Sequence, residues 1–143
     1  MGSLSAAALV GTPIRVHGIL LGRPIDLVLD AAGRRVLGFV VESGDDAPRF
    51  LPYAACQPGP DAIAVGSALM LLDDVSFYRK HGVSFRSLLG REIERENVPV
   101  GALIDVHIDR AGGVAELEVE LDGVRSRLPA AGSSFAATAA TAA

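Results

Sequence analysis

The chain has 143 residues with a formal net charge of −4, half of them hydrophobic, few aromatic, with no tryptophan and a single cysteine, Cys56. That length suits one ordinary domain or two small ones sharing an interface, with a core built from Val, Leu, Ile and Ala. A lone thiol excludes an internal disulfide or cysteine cluster, and the acidic balance gives no long-range attraction for phosphate backbones.

The chain starts without the basic and apolar regions of a signal peptide, and no apolar run reaches the ~18 residues of a membrane span, which points to a soluble cytoplasmic protein. Ser5 to Gly11 sets a serine before a short helix-compatible run and a glycine after it, predicting one helical turn with an N-cap and a left-handed end. Pro13 to Val16 reads as a short strand. From Pro24 to Leu29 the side chains alternate, with Ile25, Leu27 and Leu29 on one face and Asp26, Val28 and Asp30 on the other. Asp30-Ala31-Ala32-Gly33 then supplies hairpin-turn chemistry.

The returning strand carries Leu37, Phe39 and Val41, Arg49 to Pro52 continues the sheet, and Pro58 to Asp61 is a loop. Ala62 to Val65 and Ala68 to Leu72 read as two more apolar strands. A helix capped by Asp73 or Asp74 and ended by Gly82 connects to the second half of the chain.

The second half repeats the first. Adding 79 carries Ser5 to Ser84, Leu9 to Leu88, Gly22 to Gly101, Asp26 to Asp105, Asp30 to Asp109, Gly33 to Gly112 and Val40 to Val119, among 12 identities in 40 ungapped positions from 5 to 44. Chance gives about three or four. Leu51-Pro52 matches Leu128-Pro129 at an offset of 77. The second copy thus has a helical turn over Ser84 to Gly90, strands over Arg91 to Arg95 and Ala102 to Ile108, a turn at Asp109 to Gly112, and a last strand over Val124 to Pro129. Residues 1–72 form the first domain, 73–83 the connector, 84–129 a truncated second copy, and 130–143 a disordered tail.

At the ungapped offset the returning strand of the second copy presents Glu116, Glu118 and Glu120 where the first has Leu37, Phe39 and Val41, and His107 replaces Val28. Val28, Leu37, Phe39 and Val41 therefore form an apolar patch that the other copy, the segment from Ala62 to Tyr78, or a protein partner must cover.

The helical turn ending Leu-x-Gly or Leu-Val-Gly, the Gly three residues before an apolar-Asp pair, the Asp-x-x-Gly hairpin and the Leu-Pro opening the next element resemble the PRC-barrel domain, over Leu9 to about Leu72 and, truncated, over Leu88 to Pro129. The resemblance implies tandem small all-β barrels and a non-enzymatic module that docks onto other proteins. Members of the family occur in the photosynthetic reaction centre H subunit and in a ribosome maturation factor, which leaves ribosome or RNA assembly and a photosynthesis-linked role as alternatives.

Asp105, His107 and Asp109, facing Glu116, Glu118 and Glu120, are the densest polar group. Residues two apart on a strand lie about 7 Å from each other, so a solvated acidic face is expected rather than a metal centre. Asp26 and Asp105 are expected to satisfy backbone N–H groups, and Cys56 to be filler. His17 and His81 sit alone in loop-like contexts and receive no role. Arg79, Lys80, His81, Arg86 and Arg91 form the one basic stretch a nucleic acid could use, flanked by acidic residues. No nucleophile motif, phosphate loop or HExxH pattern is present, so neither enzyme activity nor a cofactor is expected. Homodimerisation is a further expectation for a repeated unit with an open edge.

Overall fold

The computed structural model describes residues 3–42, 44 and 47–135. In chain order the elements are β1 (Leu4–Ser5), α1 (Ala6–Leu9), β2 (Ile14–Val16), β3 (Ile19–Asp30), β4 (Val36–Glu42), β5 (Arg49–Pro52), β6 (Cys56–Pro58), β7 (Ile63–Val65), α2 (Val75–His81), β8 (Gly82–Ser84), α3 (Phe85–Leu88), β9 (Glu92–Arg95), β10 (Val98–Ile108), β11 (Val114–Leu121), β12 (Val124–Pro129) and β13 (Ser133–Phe135). The protein is mostly β, with two curled sheets: β5-β4-β3-β2-β7-β6 from the first copy and β12-β11-β10-β9-β13 from the second. No helix among the described residues is long and apolar enough to cross a membrane.

The copies exchange their opening segments. β1 pairs with β10, matching Leu4 to Ile108 and Ser5 to His107, while β8 pairs with β3, matching Val83 to Leu29 and Ser84 to Val28. The helical turn that begins each copy therefore lies on the sheet of the other. A second seam joins the hairpins, where Val36 N donates to Gly112 O at 2.8 Å and Val114 N donates to Arg34 O at 2.8 Å. One hydrophobic core runs through both lobes, with Leu9, Leu27, Phe39, Leu51 and Ile63 of the first copy against Phe85, Leu88, Ile93, Leu103, Val106 and Leu117 of the second. Removing that shared apolar surface from water is the main force holding the lobes together.

Four expectations change. The stretch from Ala68 to Leu72 is not a strand. Ala68–Met70 forms a 3-10 turn, started by the Ser67 hydroxyl accepting from Leu69 N, and only Leu72 pairs, with Phe50. The tail is not disordered over residues 130–135: β13 pairs antiparallel with β9, and Phe135 packs on the shared core. Residues 136–143 lie outside the described residues. Among the described residues the second copy has no counterpart of β6, β7 or α2, yet β13 covers the side of β9 that corresponds to the side of β2 covered by β7. Nor are residues 1–72 a self-contained unit, because Leu4 to Leu9 belongs spatially to the second lobe.

The fourth change concerns register. Asp26 pairs with Val40 and Leu27 with Phe39, whereas Asp105 pairs with Glu118 and Val106 with Leu117. The copies are thus offset by 79 on β3 and β10, by 78 on β4 and β11, and by 77 on β5 and β12, where Phe50 lies opposite Val40 and Arg127 opposite Glu118. One residue is lost at each turn. The first loss is visible in the hairpins: Asp30 N bonds Arg35 O, but Asp109 N bonds Gly113 O. A one-residue slip moves every side chain to the opposite face.

Candidate functional site

The slip relocates the expected patch. Phe39 and Val41 point into the shared core, fully buried, with Phe39 packed near Tyr53 at 6.2 Å between ring centres. Val28 faces the other way, into a small outer cluster with Val40, Phe50 and Val75, flanked by Ile25, Leu37, Leu72 and Tyr78. Val28, Leu37, Phe39 and Val41 therefore do not form one surface, and a partner cannot reach three of them. The cover for Val28 is α2, which lies within the Ala62 to Tyr78 segment over most of its length. Tyr78 of that helix stacks on Phe50 with ring centres 3.7 Å apart.

The same outer face of the second lobe is polar, and no counterpart of α2 lies above it among the described residues. Its positions equivalent to Val28, Gly38, Val40 and Phe50 are His107, Glu116, Glu118 and Arg127. His107 Nε2 donates to Glu118 Oε1 at 2.8 Å and lies 3.9 Å from Asp105 Oδ2. Arg127 Nη2 donates to Glu116 Oε1 at 2.6 Å and to the Ser3 hydroxyl at 3.0 Å. Asp105 and His107 are buried, while Arg127 is exposed. Asp109 is not part of this group, because its Oδ1 accepts from Gly113 N at 2.9 Å inside the hairpin.

Asp26 and Asp105 do the backbone work expected of carboxylates beside a turn, but for the opposite copy. Asp105 Oδ2 accepts the Ser5 hydroxyl, and its Oδ1 accepts Ala7 N at 2.9 Å and Val106 N at 2.7 Å. Ser5 Oγ in turn accepts Ala8 N at 3.1 Å. The other half matches: Asp26 Oδ2 accepts the Ser84 hydroxyl, its Oδ1 accepts Arg86 N at 3.1 Å and Leu27 N at 2.8 Å, and Ser84 Oγ accepts Ser87 N at 3.3 Å. Each aspartate clamps the capped helical turn of the other copy. The repeat of Ser5 and Asp26 at 84 and 105 was the sequence signal for this pair of clamps.

The basic stretch is divided. Arg79, Lys80 and His81 end α2, whereas Arg86 Nη1 donates to Ile25 O at 3.2 Å across the lobes and Arg91 lies over the Phe135 ring at 5.1 Å. His81 lies against Phe77, ring centres 4.5 Å apart, and His17 occupies a turn at φ 50°. Burial pushes the Cys56 thiol up to about 12, which keeps it protonated and poorly nucleophilic. Tyr53 is also raised, by burial first and then by Cys56 and Asp109. Cys56 lines a surface cleft of about 600 Å³ with Gln57, Pro58, Ala62 and Arg110.

No family model matches the chain, and no curated protein matches it.

Proposed function

We propose that the chain is a non-enzymatic, PRC-barrel-like adaptor that captures an extended protein segment on the β12 edge of its second lobe. The observation that carries this reading is a difference between equivalent edges. In the first lobe the outer side of β5 is closed, since Phe50 N donates to Leu72 O at 2.7 Å and Leu72 N donates to Phe50 O at 2.8 Å. In the second lobe Arg127 holds the position of Phe50, and no strand among the described residues pairs with the outer side of β12.

The two-residue turn at Asp122 and Gly123, both at positive φ, pairs Leu121 with Val124 and fixes the phase of the strand. Arg125 and Arg127 then direct their backbone N–H and C=O groups away from β11. An added strand bonds to these groups, and the two arginine side chains, on one face, favour a carboxylate at alternate positions of the incoming segment. The RNA alternative draws little support from a basic stretch whose Arg86 is bonded across the lobes and whose Arg91 lies over Phe135.

A peptide-display selection against the full chain tests the proposal. Binders are expected to be extended and acidic at alternate positions, to slow amide exchange at Arg125 and Arg127, and to be lost with Arg125→Pro, which removes an outward N–H. Arg125→Ala retains that group and should weaken binding only a few-fold. Selected peptides that bind Arg125→Pro unchanged, or that protect another surface, would refute the edge as the docking site. Single-stranded RNA binding that falls by orders of magnitude between about 50 and 200 mM salt would favour the assembly-factor alternative instead.

A further inference from the structure

We propose that Asp105, His107 and Glu118 form a binding site for a divalent transition-metal ion of the zinc class. One ligand atom from each residue lies within 4.8 Å of the others, with His107 Nε2 2.8 Å from Glu118 Oε1 and 3.9 Å from Asp105 Oδ2. Tetrahedral zinc with ligands at about 2.0–2.2 Å spaces those ligands about 3.4 Å apart. A shared ion would require the imidazole and Glu118 to part slightly from 2.8 Å and the imidazole and Asp105 to close slightly from 3.9 Å.

Spacing along one strand would not achieve this, since Asp105 and His107 stand two residues apart on β10. The neighbouring strand does, because Glu118 lies directly across from Asp105 and its carboxylate reaches diagonally to His107. Two further features separate this group from a loose acidic patch. Asp105 and His107 are 9% and 8% exposed, so a cation between them loses little binding energy to solvent screening. The Asp105 carboxylate is held in place by the Ser5 hydroxyl and by the amides of Ala7 and Val106, the kind of outer hydrogen bonding that orients a metal ligand.

The first lobe serves as an internal control. Asp26 makes the same bonds to Ser84 and Arg86, but the positions of His107 and Glu118 are occupied by Val28 and Val40. The clamp therefore needs neither an imidazole nor a second carboxylate; the second lobe adds both, at positions that converge on the shared aspartate. One imidazole and two carboxylates suit zinc or manganese, and the nitrogen donor disfavours calcium.

The test is calorimetric titration of the full chain, stripped with chelator, with zinc, manganese and calcium chlorides in turn. One equivalent of zinc is expected to bind, with a zinc-dependent rise in melting temperature. Glu118→Gln keeps an oxygen to accept the His107 N–H and removes the charged ligand, so it should fold normally yet bind zinc at least about tenfold more weakly. His107→Val with Glu118→Val installs the residues of the first lobe and should abolish binding. His17→Ala with His81→Ala should leave it unchanged. Absence of zinc binding, binding unaltered in Glu118→Gln, or binding lost with the His17 and His81 replacements would each overturn the assignment and leave His107 and Glu118 as a hydrogen-bonded pair. Arg125→Pro lies outside the ligand set and should bind zinc as wild type, so failure of the docking reading and failure of this one are distinguishable.

Discussion

Replacing Asp26 with alanine should loosen the second copy's opening helix from the first copy's sheet. Asp26 is 9% exposed and accepts three hydrogen bonds, from the Ser84 hydroxyl, Arg86 N and Leu27 N. Truncation strands three donors in a region that water reaches poorly, at about 1–2 kcal/mol each, so Asp26→Ala should cost about 3–6 kcal/mol. Asp26→Asn keeps an acceptor for the amides and should cost about 1–2 kcal/mol, as should Ser84→Ala, which removes the cap of α3. The two residues act as one unit, so the double variant should fall short of additivity by about 1 kcal/mol. Urea unfolding of the full chain, with coincident fluorescence and circular dichroism transitions, gives the four values. Amide exchange should accelerate at Arg86 and Ser87, 60 residues from the substitution. A cost below about 1 kcal/mol for Asp26→Ala, or additivity within about 0.3 kcal/mol, would show that the clamp is not what joins the copies. Asp105→Ala with Ser5→Ala should repeat the pattern in the other direction.

Truncation after Gly132 removes β13, including Phe135 from the core margin, and bares β9; the melting temperature should fall and the chain should self-associate, an unchanged midpoint in a dispersed protein being the contrary result. A methyl group at Gly38 would sit 2.2 Å from Leu51 O and 2.6 Å from the Phe50 ring, so Gly38→Ala should destabilise by about 2 kcal/mol or more, and a loss under about 0.5 kcal/mol in a urea titration would count against this packing. Because burial raises Cys56 from 9.0 to about 12, the unfolded chain releases that proton first. Its contribution is therefore constant below about pH 9 and is lost as pH rises toward 12. Cys56→Ala should show a shallower decline in urea midpoint between about pH 8 and 10.5 than wild type, and equal declines would contradict the assigned environment.

The parts of the fold visible in the sequence were those written in local chemistry. Ser5 and Ser84 announced capped turns, Asp30 and Asp109 announced hairpins, and alternation from Pro24 to Leu29 and from Ala102 to Ile108 announced strands with a buried face, except that Ile25, expected beside Leu27, flanks the outer cluster with Val28 because the pairing shifts between Pro24 and Asp26. The exchange of opening segments was not visible, because nothing in Ser5 or Asp105 alone says that their partners lie 100 residues apart. The patch was misplaced for a specific reason. Val40 and Val119 are identical at an offset of 79, and that chance match hid the residue lost between Gly33 and Val36, whose counterpart is Val114 rather than Ala115. Val40 in fact faces the outer cluster and Val119 the core. That His107 and Glu118 share one polar face was legible, but the ungapped alignment set Glu118 against Phe39 and not against Val40, so the direct pairing of Asp105 with Glu118 was not.

The asymmetry between the lobes has a topological cause. A chain that writes one unit twice has a single connector, and this one leaves β5 at the Leu72 bridge and must deliver β8 to the edge of β3, on the same lobe. α2 is therefore obliged to cross the outer face of the first lobe, and Val28, Val40 and Phe50 are buried beneath it with Val75 and Tyr78. No second connector exists among the described residues to cover the second lobe, where the equivalent face must tolerate water, and it carries His107, Glu116, Glu118 and Arg127. The open β12 edge arises in the same way, for the residue that closes β5 begins the connector. Duplication thus produced one lobe whose outer surface is filled by its own chain and one whose polar face and strand edge are left for something else to bind, which is why both proposed sites lie on the second copy.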